Sequence, residues 1–180
     1  MEIDFSKWYR VLSPRPVALI STVNEKGKVN AAPFSFVMPC SVEPPLVEFA
    51  SDPEHHTAKN ILKTKEFVLN LPDEKILDKL WKCAEDYPEG VNEIEKSGLT
   101  ERSSKQVKVP GISECFASIE CKLHGNYVTG DHITFVGEVV RVYVADGCFR
   151  HGEFLVKKAN PLGHVGGKNF GLVGKIIKVK

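Results

Sequence analysis

The chain has almost no net charge, 24 Lys and Arg standing against 23 Asp and Glu in 180 residues. Bulk electrostatics therefore gives it no reason to bind nucleic acid or an anionic membrane surface. It also lacks any apolar run approaching the ~20 residues of a membrane-spanning helix. The opening MEIDFSKWYR alternates charge and aromatics, where an export signal would place a basic stretch before an apolar one, so a cytoplasmic location is expected. Five cysteines, Cys40, Cys83, Cys115, Cys121 and Cys148, include no Cys-x-x-Cys pair, and their gaps of 43, 32, 6 and 27 residues fit no zinc or iron–sulfur spacing. They are expected to be mostly buried small hydrophobes in a reducing compartment. Gly-x-Ser-x-Gly, a phosphate loop closing on Gly-Lys-Ser or Gly-Lys-Thr, and a strand followed by Gly-x-Gly-x-x-Gly are all missing, which removes the footing for hydrolase, kinase and Rossmann readings. Aromatics interleaved with Lys and Arg, as a single-strand binding platform needs, form no cluster.

What is present is a set of short strands. Residues 17–23 (VALISTV) and the renewed extended character from Val29 flank the polar turn NEKGK, which reads as a hairpin. Leu46 to Ala50 follows Pro44 and Pro45 as a third strand, and Phe67 to Leu71 is another. A short helix capped by Thr57 is expected through Leu62, and a second over Glu74 to Cys83, where Ile76, Leu77, Leu80 and Trp81 share one face. Residues 84–111 read as an excursion from the core with at most one short helix near Asn92 to Ser97. Strand character returns from Cys115 to Leu123 and from Ile133 to Val144, with His124 to Asn126 and Gly130-Asp131 breaking the two. The glycine-rich stretch 161–174 reads as a loop. With no repeat or linker, residues 1–180 are taken as one domain, closing as an antiparallel barrel with a few inserted helices.

Three segments carry candidate chemistry. In Asn30 to Phe36 (NAAPFSF), small residues leave backbone amides uncovered between flat phenylalanines, a mixture suited to an isoalloxazine ring; an ordinary strand end fits the same residues. In Ser51 to Asn60 (SDPEHHTAKN), a strand end meets a helix start, whose uncovered amides favour a phosphate with His55, His56 and Lys59 nearby. A plain capped helix is the alternative, and metal binding finds no third ligand beside the two histidines. His132 begins a strand just after a turn, where its ring projects at a barrel rim as a donor or is satisfied by a backbone carbonyl.

Taken in order, PRPVALIST, NAAPFSF, EPPLV, HTAKNI with FVLNL, VNEIEKSGLT, VPGISECFASIECKL and GDHITFVGEVV resemble the flavin reductase-like, FMN-binding split-barrel family, which includes flavoredoxin. The resemblance covers most of Arg15 to Val144 and extends into PLGHVGGKNF. It implies a mainly β, six-stranded antiparallel Greek-key split barrel, a homodimer, and non-covalently held FMN reduced by NADH or NADPH. Electrons then pass to free flavin, ferric complexes or a protein acceptor. Carried over by position, Ala32, Phe34, Ser35 and Phe36 meet the isoalloxazine and ribityl, and Ser51, His55 and Thr57 lie at the phosphate. Lys168 and Phe170 belong to a closing loop, and His132 is the catalytic candidate; no metal is implied. Relatives often carry Lys or Arg where His55 stands, which makes phosphate compensation here weaker or pH-dependent. The rival reading is a flavoredoxin-type FMN electron-transfer protein without a nicotinamide site of its own. A heme or small-ligand split-barrel module without redox turnover is a third.

Overall fold

The computed structural model describes residues 2–179. A 3-10 turn, Phe5–Arg10, leads into β1 (Arg15–Pro16), β2 (Ala18–Val23), β3 (Val29–Phe34), β4 (Val37–Ser41) and β5 (Leu46–Ser51). Then come α1 (His56–Thr64), β6 (Glu66–Leu71), the 3-10 turn Glu74–Ile76, α2 (Leu77–Lys82) and α3 (Glu93–Ser97). Two short strands follow, β7 (Glu101–Arg102) and β8 (Gly111–Ile112), and then the long pair β9 (Ala117–Thr129) and β10 (His132–Val144). The chain ends through β11 (Phe149–Arg150), β12 (Glu153–Phe154), α4 (Val156–Ala159), β13 (Leu162–Gly166) and β14 (Asn169–Leu172).

The main sheet runs in the order β3-β2-β6-β9-β10-β5-β4. Its two outer members are consecutive in the chain and separated only by Ser35 and Phe36, so β3 and β4 are one strand bent at that point. The first half pairs with β2 and the second with β5. Counted this way, six antiparallel strands close on themselves through two three-strand meanders, a Greek-key barrel split at the bend. Ser35 and Phe36 therefore sit where a strand changes partner, and Phe36 keeps one bond across the seam, its carbonyl accepting from Ala50 N at 3.0 Å.

Local chemistry sets these elements. Asn24 Oδ1 accepts from the amides of Lys26 (3.0 Å) and Lys28 (2.9 Å), folding the β2–β3 turn around Gly27, whose φ is +73°. Side chains alternate along β2. Ala18 and Ile20 face the barrel interior with Phe49, Phe67 and Phe135, whereas Val17 and Leu19 lie under Leu80, Ile94 and Ile112 outside it. Phe49 stacks on Phe135 at 5.3 Å and meets Phe67 edge-on at 5.4 Å. Gly137 is needed beside them, because a Cβ there would run into the Phe67 ring.

Four expectations are corrected. Thr57 does not cap α1; His55 holds that position with extended backbone, and Thr57 lies in the first turn, buried. Residues 84–111 are no excursion, since Ile94 and Val109 are fully buried and Leu99 nearly so. The loop in this segment is pinned by Glu120, which accepts from Lys105 N at 3.0 Å and Gln106 N at 2.6 Å. His124 to Asn126 do not end β9, which continues to Thr129 with a bulge at His124, and Gly130-Asp131 turns the chain. Those residues are polar because this arm of the hairpin reaches into solvent. The glycine-rich segment is no loop either: β13 and β14 form a hairpin whose first strand pairs with β1.

Candidate functional site

Between the barrel and its outer helices runs a groove with two connected parts that share Pro33, Phe34 and Ala84. One part, about 220 Å³, lies between the end of β3, α2 and the β13–β14 hairpin. The other, about 520 Å³, reaches the start of α1 and the α2–α3 connection. Together they fall in the ~300–1,000 Å³ range of small-molecule sites.

The smaller part is flat-walled and apolar with one polar edge. Trp81 and Phe170 meet at 6.2 Å with their planes 79° apart, Phe34 forms the floor, and Ser35 and His164 supply the edge. The Ser35 hydroxyl lies 2.8 Å from His164 Nδ1, and His164 Nε2 lies 3.1 Å from the Gly167 carbonyl. Such walls suit a planar ring that needs edge hydrogen bonds.

At the larger part, no side chain caps the first turn of α1, and the amides of His56, Thr57 and Ala58 find no acceptor among the described residues. Uncapped amides at a positive helix end suit an anion. The Thr57 hydroxyl lies 3.1 Å from the Asn30 amide, and both groups are satisfied when it donates there and Asn30 donates to Glu93 Oε1 at 3.3 Å. Glu93 is buried, accepts from Ala31 N at 2.9 Å, and has its carboxyl pushed above the ordinary value by that burial. Among the acids of the rim, Glu54 is paired with Lys59 at 2.9 Å, and Glu85 and Asp86 stand in solvent. The groove thus joins an apolar part beside Trp81 to a part edged by the uncapped amides of α1.

Of the residues expected at the site, Ala32, Phe34, Ser35, His55, Thr57 and Phe170 line this groove. Ser51 lines no described cavity and is buried beneath the α1 turn, its hydroxyl donating to Asp52 O at 3.1 Å and reaching His55 Nδ1 at 3.5 Å. Lys168 is a rim residue whose ammonium lies 5.6 Å over the Trp81 ring. Phe36 and His132 face a separate cavity on the other side of the bend, about 730 Å³, walled by Trp8, Tyr9, Leu12 and Arg15. There His132 packs against Phe36 at 5.8 Å and bonds Asp131 at 2.7 Å, which holds that carboxyl below its ordinary value.

Sequence reasoning missed Arg15, Trp81, Glu93 and His164. Spacing alone puts Trp81 on the apolar face of α2; its half-burial beside fully buried Leu80 puts it at the edge of that face. Four of the five cysteines are held toward the neutral thiol. Burial pushes the Cys83 thiol up to about 11 and those of Cys115 and Cys121 higher still, and exposed Cys40 is raised as well.

Comparison with known proteins matches residues 9–168 to the flavin reductase like domain. An uncharacterized protein of Methanothermobacter thermautotrophicus is 41% identical over 157 residues, covering 84% of this chain and 74% of that protein. Nitrilotriacetate monooxygenase component B from Bacillus cereus superposes with a TM-score of 0.89 at 28% identity, covering 99% of this chain and 95% of the other. Flavoredoxin from Methanosarcina acetivorans superposes with a TM-score of 0.87 at 26% identity, covering 99% and 94%. With its split barrel, its flat-walled groove and this match over most of its length, the chain belongs to the flavin reductase-like family of flavin-binding oxidoreductases.

Proposed function

We propose that this chain is a single FMN-binding unit that accepts a hydride from NADH or NADPH and passes the electrons to free flavin, a ferric complex or a protein acceptor. The observation that carries this reading is that the aromatic part at Trp81 and Phe170 shares Pro33, Phe34 and Ala84 with the part that holds the uncapped amides of α1, apolar walls and amide donors together suiting a flavin ring and its phosphate. Bound FMN supplies the hydride and electron chemistry. The protein's own share is placement. Phe34 and Trp81 hold the ring, Ser35 and His164 meet its polar edge, and the first turn of α1 with His55 receives the phosphate. His132 and Phe36 lie across the bend from the ring site, and we assign the nicotinamide approach to that side.

A homodimer is supported by apolar residues left in solvent on β4 and just after it, Met38 at 53% and Val42 at 93% exposure. Five free thiols suit a reducing, cytoplasmic setting. A second reading, an FMN carrier reduced by another protein, is favoured by the likeness to flavoredoxin.

The absorption spectrum of purified protein reconstituted with FMN, recorded without oxygen before and after NADH or NADPH, separates the readings. Protein-bound flavin bands that bleach within seconds support the reductase. Bound flavin that stays oxidised for minutes supports the carrier, and failure to retain flavin overturns both.

A further inference from the structure

Arg15 belongs to neither part of the groove, yet its guanidinium reaches both sides of the strand bend. Nη1 donates to the carbonyls of Tyr9 (2.9 Å) and Leu12 (2.8 Å), Nε points to Ser35 Oγ at 3.4 Å, and Nη2 lies 3.2 Å from His164 Nδ1. Backbone pairing fixes this placement. Arg15 stands opposite His164 and Pro16 opposite Gly163 in the β1–β13 register, and a Cβ on Gly163 would come within 2.8 Å of Pro14 Cβ. Only glycine lets the two strands lie this close, and their closeness is what sets Arg15 beside His164.

The tautomer of His164 follows from its neighbours. The Gly167 carbonyl can only accept, so Nε2, 3.1 Å away, carries the hydrogen and Nδ1 of the neutral ring presents one lone pair. Two donors converge on it, the Ser35 hydroxyl at 2.8 Å and Arg15 Nη2 at 3.2 Å. One lone pair serves one good hydrogen bond, so these donors compete, and in the geometry seen Ser35 is the nearer.

We propose that Arg15 is a positioning residue that frees the Ser35 hydroxyl for a ligand. When an acceptor atom at the polar edge of the slot draws the hydroxyl hydrogen, Arg15 Nη2 takes over the His164 lone pair, and neither side chain is left unpaired. Without Arg15, Ser35 serves either the ligand or His164. The proposal rests on the flavin reading for the identity of the ligand; the handover itself belongs to the protein alone.

Imidazole nitrogen NMR of 15N-histidine-labelled, ligand-free protein tests the handover directly, with His164 assigned by loss of its signals in His164→Asn. Wild type should show the Nε2–H tautomer with Nδ1 hydrogen-bonded. Ser35→Ala should keep that Nδ1 bond because Arg15 accepts the role, Arg15→Met should keep it through Ser35, and only the double variant should lose it. Hydrogen on Nδ1 in wild type, or loss of the bond in Ser35→Ala alone, would overturn the proposal. The Ser35→Ala arm retains native Arg15, so the test survives even if Arg15→Met folds poorly.

FMN affinity gives the second readout. Ser35→Ala should weaken binding about fivefold, the scale of one neutral hydrogen bond. Arg15→Met should weaken it by a similar factor and no more, because Ser35 then serves either the ligand or His164. The double variant should be no weaker than Ser35→Ala, since nothing remains to hand over. Losses that multiply would show a merely structural Arg15. If wild type fails to bind FMN, the flavin reading falls while the NMR result still decides the handover.

Discussion

At its Trp81 end the groove is walled by side chains from three elements far apart in sequence, Phe34, Trp81 and Phe170, whereas at its His55 end the donors are consecutive backbone amides of one helix turn. The first surface recognises by shape and apolar contact, the second by dipole and amide donation. A wall of side chains can be dismantled by one truncation. A backbone donor survives any side-chain change except proline. Ring affinity and phosphate affinity should therefore be separable in this protein, and riboflavin, which lacks the phosphate, is the probe that separates them.

The largest effect is expected at the aromatic end. Trp81→Ala should weaken FMN and riboflavin alike by roughly 30-fold, about 2 kcal/mol, as for a buried aromatic anchor. Fluorescence titration with both flavins measures this. An unchanged preference for FMN over riboflavin keeps the two ends distinct; a loss confined to FMN would show that Trp81 acts through the phosphate end, and the comparison would break.

The complementary change removes one amide and leaves the helix standing. His56 is the first residue of α1, where proline is tolerated because its missing N–H has no intrahelical partner, and His55 before it is already extended at φ −62° and ψ 143°. His56→Pro should weaken FMN about fivefold, roughly 1 kcal/mol, and leave riboflavin unchanged. His56→Ala, which keeps the amide, should recover most of the loss. Equal losses for the proline and alanine variants would assign the effect to the imidazole ring instead.

The same contrast explains what could be read from the sequence. HHTAKN and NAAPFSF are local: strand end, helix start and small residues lie within ten positions, and their chemistry follows from the backbone there. The aromatic slot depends on contacts such as Arg15 with His164, 149 residues apart, which no periodicity announces. Six strands in a Greek-key order were legible only through the family resemblance, since β4 (VMPCS) looks like a loop until its pairing with β5 shows it to be the second half of a bent strand. Burial alternates along β5, which puts Ser51 on the inward side with Val47 and Phe49.

The smallest effect should appear at Glu93, the buried one of the four acids that line the α1 end of the groove. Burial raises the Glu93 carboxyl above its ordinary value of 4.5, so the native state holds this proton to higher pH than the unfolded chain does. Below about pH 4.5 the group is neutral in both states and does not alter stability; as pH rises through the raised value, the native state must ionise a buried group and loses stability relative to the unfolded chain. Glu93→Gln keeps an oxygen for the Ala31 amide, bonded at 2.9 Å in the native protein, and cannot ionise. Its thermal midpoint should gain on wild type as pH is raised from about 4.5 toward neutrality and then run parallel. At neutral pH it should also tighten FMN about twofold, roughly 0.4 kcal/mol, the scale of one screened like charge, with riboflavin unaffected. A midpoint difference that stays constant with pH would mean that Glu93 serves the fold through its hydrogen bonds alone, and that the helix end meets its anion without an opposing charge.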